Sequence, residues 1–133
     1  MDFISINWLA AVVAALSSFG VGFLWYGPLF GKPWQKLIGL SDEDMKNANM
    51  GKIFGTAFIF TLIGAVVLAT MIPAGTGLLN GMLLGLTVGV GFAATALGIN
   101  YQFARHPFNL WLIDGGYIII VYVVMGLILG AWS

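Results

Sequence analysis

Four long apolar stretches separated by short polar ones set the pattern of this chain. Residues 6–26, 53–72 and 78–101 carry no charged side chain, and residues 107–132 carry one, Asp114. The hydrocarbon core of a bilayer takes about 20 apolar residues to cross, so each stretch is long enough to span it. Lipid offers the backbone no hydrogen-bond partner, and the four spans are therefore predicted to be α-helices. The fold class that follows is all-α: an integral membrane four-helix bundle, with residues 1–133 as a single transmembrane domain. Gly27 and Pro28 read as the end of span one. The turn Pro73–Gly77 reads as the break between spans two and three, because proline and glycine interrupt helices. Pro107 suits the first turn of span four, where its missing N–H costs nothing.

The longest polar stretch lies between spans one and two. In residues 33–39, Trp34, Leu37 and Ile38 recur at i, i+3 and i+4, while Gln35 and Lys36 face elsewhere. This predicts a short amphipathic helix on the membrane surface, ended by Gly39. Ser41 with Asp44 three residues on is a capping-box variant, so the second long helix is expected to begin near Asp42 in water and run on into the membrane. The basic residues are Lys32, Lys36, Lys46, Lys52 and Arg105. All five fall in or beside loops 27–52 and 102–107. Basic loops favour the cytoplasm, which places those loops inside and both termini outside. Trp8, Trp25, Trp34, Trp111 and Trp132 fall near predicted interfaces and are expected to anchor them.

Composition strengthens this picture. The chain is 60% hydrophobic and 8% charged, against about 25% charge in a soluble domain, and could not cover a surface facing water. It has no cysteine, which excludes disulfides, iron–sulfur clusters and thiolate metal sites. A formal net charge of zero points away from nucleic acid as a partner. The N-terminal stretch lacks the positive n-region of a secretory signal and stays apolar too long; it is expected to be a retained first span.

Glycine spacing is the strongest packing signal. Gly81, Gly85 and Gly89 form two consecutive GxxxG steps, a face that continues through Ala93 and Ala96 to Asn100. Gly126 and Gly130 lie on span four, and Ala11, Ala15, Ser18 and Gly22 on span one. Small residues let helix backbones approach closely in lipid, either within one bundle or between subunits. "GVGF" occurs at 20–23 and again at 89–92, each followed by a basic loop containing proline, as a duplicated two-helix hairpin would give.

Asp114 is the ionisable residue inside a span. It lies seven residues beyond Pro107, about 10 Å deep at 1.5 Å per residue. A charge at that depth marks either a function or a pair. As a pair it would bond Arg105, Lys32, Asn100 or a tryptophan N–H; as a function it would hold a proton or attract a cation. Together with Tyr26 and Tyr117, these residues form the candidate polar site. His106 with Asp114 makes too few ligands for a metal site. No nucleophile–base pair can be assembled, and the glycine-rich stretches do not follow strands as a phosphate loop would. No cofactor, no metal and no enzymatic activity are expected.

Two stretches, "NWLAAVVAALSSFGVGFLWYGPLFGKPWQKLIGLS" and "FNLWLIDGGYIIIVYVVMGLILGAW", resemble a family of small bacterial four-span membrane proteins known only as a domain of unknown function. The segment from Trp25 to Trp34 carries most of the resemblance. It implies a bacterial inner-membrane protein and supplies no activity. Two functional readings follow. The favoured one, because many small four-span proteins work as oligomers, is a homo-oligomeric channel or small-solute or ion transporter with Asp114 facing a wet cavity. The other is a structural or accessory subunit, binding lipid or a membrane protein partner, with Asp114 fully paired.

Overall fold

The computed structural model describes all residues, 1–133. Its first span is α1 (Trp8–Leu24) continued by one turn of π-helix, π1 (Trp25–Leu29). α2 (Gly31–Ile38) and α3 (Asp42–Lys46) follow as short helices. The second span is α4 (Met50–Thr70). The third runs through α5 (Leu78–Val88), a second π-helical turn π2 (Gly89–Ala94) and α6 (Thr95–Phe103). The fourth is α7 (Phe108–Ala131). All four spans are long and apolar enough to cross a membrane.

Local chemistry explains most boundaries. Asn7 caps α1 by accepting from the Ala10 N–H, and Asn49 caps α4 by accepting from the Lys52 N–H. Gly39, at φ 74°, closes α2 in the left-handed conformation that glycine adopts without strain. Ser41 and Asp44 complete a reciprocal capping box on α3. The Ser41 backbone and side chain hold the exposed Asp44 carboxyl below the usual carboxylate range. That contribution to the cap is present at neutral pH and is lost as pH falls through the lowered value.

Three expectations need correction. The second long helix does not start near Asp42. α3 stops at Lys46 with Asn47 as its C-cap, and Asn49 begins α4 afresh by accepting from the Lys52 N–H, since an asparagine side chain favours a helix end over a helix interior. Gly27 and Pro28 do not end span one; they sit inside π1, and the end comes at Phe30, where φ is −128°. Pro107 caps α7 from outside the helix, at ψ 146°, rather than occupying its first turn.

Span four is the axis of the bundle. Spans one and three both lie against it, and span two packs mainly on span one. The contact of α5 with α7 is made backbone to backbone. A Cβ at Gly81 would fall on the Gly126 carbonyl, one at Gly85 on the Tyr122 carbonyl, and one at Gly130 on the Gly77 carbonyl. Gly89 sits against Ile119 and Tyr122. In lipid no hydrophobic effect drives helices together, and the dispersion contacts made by such close approach hold them instead. The other side of span four meets a core of small and medium side chains. Ala10, Ala14 and Ala15 of α1 face Ala65 and Leu68 of α4, with Val121, Met125 and Leu129 of α7 closing the cluster. Ser18 is buried there and returns its hydroxyl to the Ala15 carbonyl at 2.7 Å. Outward faces carry large apolar side chains such as Phe23, Phe60, Phe92 and Phe103.

Replacing Gly85 by leucine is expected to force α5 off α7 and cost at least about 1–3 kcal/mol, read by an unfolding titration in bicelles. Gly20→Leu, where a new Cβ meets nothing within 4 Å, is expected to change the midpoint little.

Candidate functional site

Asp114 lies on α7 nearly two turns inside the loop end of the bundle and is 9% exposed. Each of its oxygens accepts one hydrogen bond. The Tyr26 O–H donates to Oδ1 and the Tyr101 O–H to Oδ2, each at 2.5 Å. One carboxylate therefore ties span one, span three and span four together. Burial of such a group is tolerable only when its lone pairs are met, and no buried side-chain nitrogen or oxygen in the chain lacks a partner.

The two π-helical turns deliver the two tyrosines. In π1 the Phe30 N–H bonds the Trp25 carbonyl at 2.8 Å, five residues back. Pro28 lies inside this turn and has no N–H to continue an α-helix, so the wider turn accommodates it. Trp25 and its neighbour Tyr26 then both bond span four: the Trp25 indole N–H donates to the Ile113 carbonyl at 2.8 Å while Tyr26 takes Asp114. The Trp25 ring lies over Gly116, where a Cβ would come within 2.9 Å. Tyr26 also packs edge-on against Trp34 of α2, at 5.2 Å between centroids, and against Tyr117, at 5.0 Å. Tyr117 in turn donates to the Ser18 carbonyl at 3.2 Å.

π2 shifts the register of span three by one residue. An unbroken α-helix would carry the face of Gly81, Gly85 and Gly89 on through Ala93 and Ala96 to Asn100, as the sequence pattern predicts. The extra residue in the turn moves that face to Ala94, which is buried, and on to Tyr101. Asn100 is left exposed. The Trp111 indole N–H donates to the Ala94 carbonyl at 2.9 Å. Its ring fills the space between Gly98 and Gly115, each of which would bring a Cβ to about 3 Å from it.

The loop after α6 closes with Arg105 in the left-handed region at φ 59°. The His106 N–H bonds the Tyr101 carbonyl and the Arg105 N–H bonds the Gln102 carbonyl, a Schellman closure in which glycine usually takes the position held here by Arg105. A non-glycine residue there costs roughly 1–2 kcal/mol. The closure sets the His106 ring edge-on to Tyr101, with centroids 4.9 Å apart.

The predicted polar site is thus assembled in part. Asp114, Tyr26 and Tyr117 come together. Arg105, Lys32 and Asn100 are exposed and do not bond the carboxylate. Tyr101 takes the place expected for Asn100, for the register reason above. Of the tryptophans expected at the interfaces, Trp8 and Trp132 are well exposed at the terminal end. Trp25 and Trp111 use their N–H groups to bond neighbouring spans, and Trp34 packs on Tyr26. No three His, Asp or Glu side chains gather anywhere in the bundle, so the residues present do not form a metal-ligand set.

A four-helix transmembrane bundle knotted at a buried carboxylate is the class defined by this fold and site. Residues 9–130 match the family model described as Protein of unknown function (DUF1761), and the chain belongs to that family. No curated protein and no solved structure matches the chain.

Deleting Gly91, which is exposed and has open space at its Cβ position, is expected to remove the extra residue that π2 absorbs, turning it into regular α-helix while leaving Tyr101 on the face of Gly81, Gly85 and Gly89. The Tyr101 bond to Asp114 is expected to survive, so Tyr101→Phe costs about 1–3 kcal/mol in the deleted chain as in the parent. A Tyr101→Phe change that costs nothing in the deleted chain would mean that π2 does not set the register of span three. Unfolding midpoints of the four proteins in bicelles check this.

Proposed function

We propose that the chain is a non-catalytic structural or accessory membrane protein whose Asp114 holds the bundle together rather than carrying an ion or a proton across it. The observation that carries this reading is the occupancy of Asp114. Both oxygens accept hydrogen bonds from side chains of the same chain, and the residue is buried. Each oxygen keeps a second lone pair, but a carboxylate that binds a passing cation also needs a wet approach. The two main cavities support the same reading. One, of about 410 Å³, opens at the terminal end beside Asn7, Thr70 and Trp132. The other, of about 310 Å³, opens sideways beside Tyr101 at the loop end. They share no lining residue, and Asp114 lines neither.

With all five basic residues in or beside the loops of the Asp114 end, we take that end to face the cytoplasm, with both termini on the opposite side. A bacterial inner membrane fits the family resemblance. Homo-oligomers remain compatible with the large lipid-facing apolar surface and are not required by the site.

The transport reading keeps one observation in its favour: Tyr101, which holds one Asp114 oxygen, also lines the lateral cavity. Flux separates the two readings. Purified protein in liposomes loaded with a pH-sensitive dye and an ionophore-imposed potential is expected to leak protons and potassium no faster than empty liposomes. A flux well above that of empty liposomes, abolished by Asp114→Asn, would replace the structural reading with the transport one.

A further inference from the structure

The lateral cavity beside Tyr101 has the form of a trough on the lipid-facing side of spans three and four. Gly98 opens its floor against the Trp111 indole, and Thr95, Ile99 and Phe108 form its walls. From Gln102 at its mouth to Thr95 is seven residues of helix, about 10 Å, so the trough runs from the membrane edge into the hydrocarbon. Its volume of about 310 Å³ is too small for a helix, whose diameter with side chains is about 10–12 Å, and its walls are too apolar for water alone.

Charge identifies what belongs at the mouth. His106 lines it, and Arg105 is the next residue along the chain. The arginine is exposed, always cationic, and does not bond Asp114. The loops of this end and their flanks carry Lys32, Lys36, Lys46, Lys52 and Arg105 against Asp42, Glu43 and Asp44, an excess of two positive charges (five minus three), with Asp114 buried in the span below them. Two of those acids are engaged already, Asp42 with Gln35 and Asp44 with Ser41. Arg105 also stands where glycine would close the helix without strain, so the position favours a charge over an easy backbone. An apolar trough of acyl-chain width whose mouth is lined by His106, with the exposed cation of Arg105 adjacent in the chain, is complementary to one class of ligand.

We propose that this groove seats one anionic phospholipid, with an acyl chain lying over Gly98 against Trp111 and the phosphate held at Arg105 and His106. The proposal rests on the structural reading above and names the lipid that such a protein holds. It also couples the lipid to the bundle, because Tyr101 contributes to the groove and bonds Asp114.

Native mass spectrometry of the full chain, released from detergent with phosphatidylglycerol or phosphatidylcholine of matched acyl chains, tests it. The parent protein is expected to retain phosphatidylglycerol preferentially. Arg105→Gly is expected to reduce that preference about fivefold, the effect of one basic residue near an anionic headgroup, while unfolding at the same or a higher denaturant concentration, since glycine suits φ 59°. Ile99→Trp fills the trough at an exposed position and is expected to abolish retention. Leu83→Trp, on the same span but outside the groove, is expected to leave it unchanged. Retention indifferent to both Arg105→Gly and Ile99→Trp would overturn the proposal. So would a dimer without lipid that Ile99→Trp dissolves, since a second copy would then occupy the trough. The liposome flux result does not enter these outcomes: lost lipid selectivity with no flux removes the lipid site alone, and flux through the parent protein removes the structural reading on which it rests.

Discussion

A carboxyl group nearly two turns inside the loop end of α7, buried and with no cation bonded to it, must find its hydrogen bonds within the protein. At Asp114 two phenol groups meet that demand, and they come from two different spans. The depth makes the requirement strict. In water either bond could be exchanged for a solvent contact at little cost, but in hydrocarbon an unmet carboxylate oxygen costs several kcal/mol. The spans that supply Tyr26 and Tyr101 are thereby fixed in rotation and in height against α7.

The rest of the loop end follows from satisfying that group. Pro28 widens the end of span one so that adjacent residues, Trp25 and Tyr26, both bond span four. π2 does the equivalent for span three, rotating it by one residue so that Tyr101 arrives where Asn100 would otherwise lie. Such turns are poorer in backbone geometry than α-helix, and each is secured by side chains: Trp25 bonds the Ile113 carbonyl, and Trp111 bonds a carbonyl of π2 itself. Deeper in the bundle the arrangement is simpler. Glycine against glycine brings α5 onto α7, and alanines bring α1 and α4 together, with no polar group needed beyond Ser18.

The architecture was legible in the sequence because lipid reduces it to counting. Charge-free runs of sufficient length become helices, and the glycine steps at 81, 85 and 89 mark a face of close approach whatever the partner. Asp114 stood out for the same reason, as a charge where charge is expensive. Its partners were only half legible. Depth places Tyr26 near it, and the i+3 spacing places Tyr117. Arg105 and Lys32 lie at the same membrane edge with side chains long enough to reach down to it, yet a phenol O–H can satisfy a carboxylate without a second ion. Asn100 was expected by extrapolating a regular 3.6-residue period through a stretch where the helix takes on an extra residue. Small residues at 94 and 98, continuing the stripe after a step of five from Gly89, are the signal that points to Tyr101. The break before span two was marked by Asn47 and Asn49, which the capping box at Ser41 overshadowed.

A double-mutant cycle on each tyrosine–Asp114 pair, with unfolding read by steric trapping in bicelles, tests the central claim most directly. Tyr26→Phe, Tyr101→Phe, Asp114→Asn and the two pairwise combinations supply both cycles. If Asp114 is the knot of the bundle, each pair will show a coupling of about 1 kcal/mol or more, outside the roughly 0.3–0.5 kcal/mol within which independent sites add. Additive penalties in both cycles would mean that neither tyrosine bond contributes to holding the spans together, and the account would be wrong at its centre.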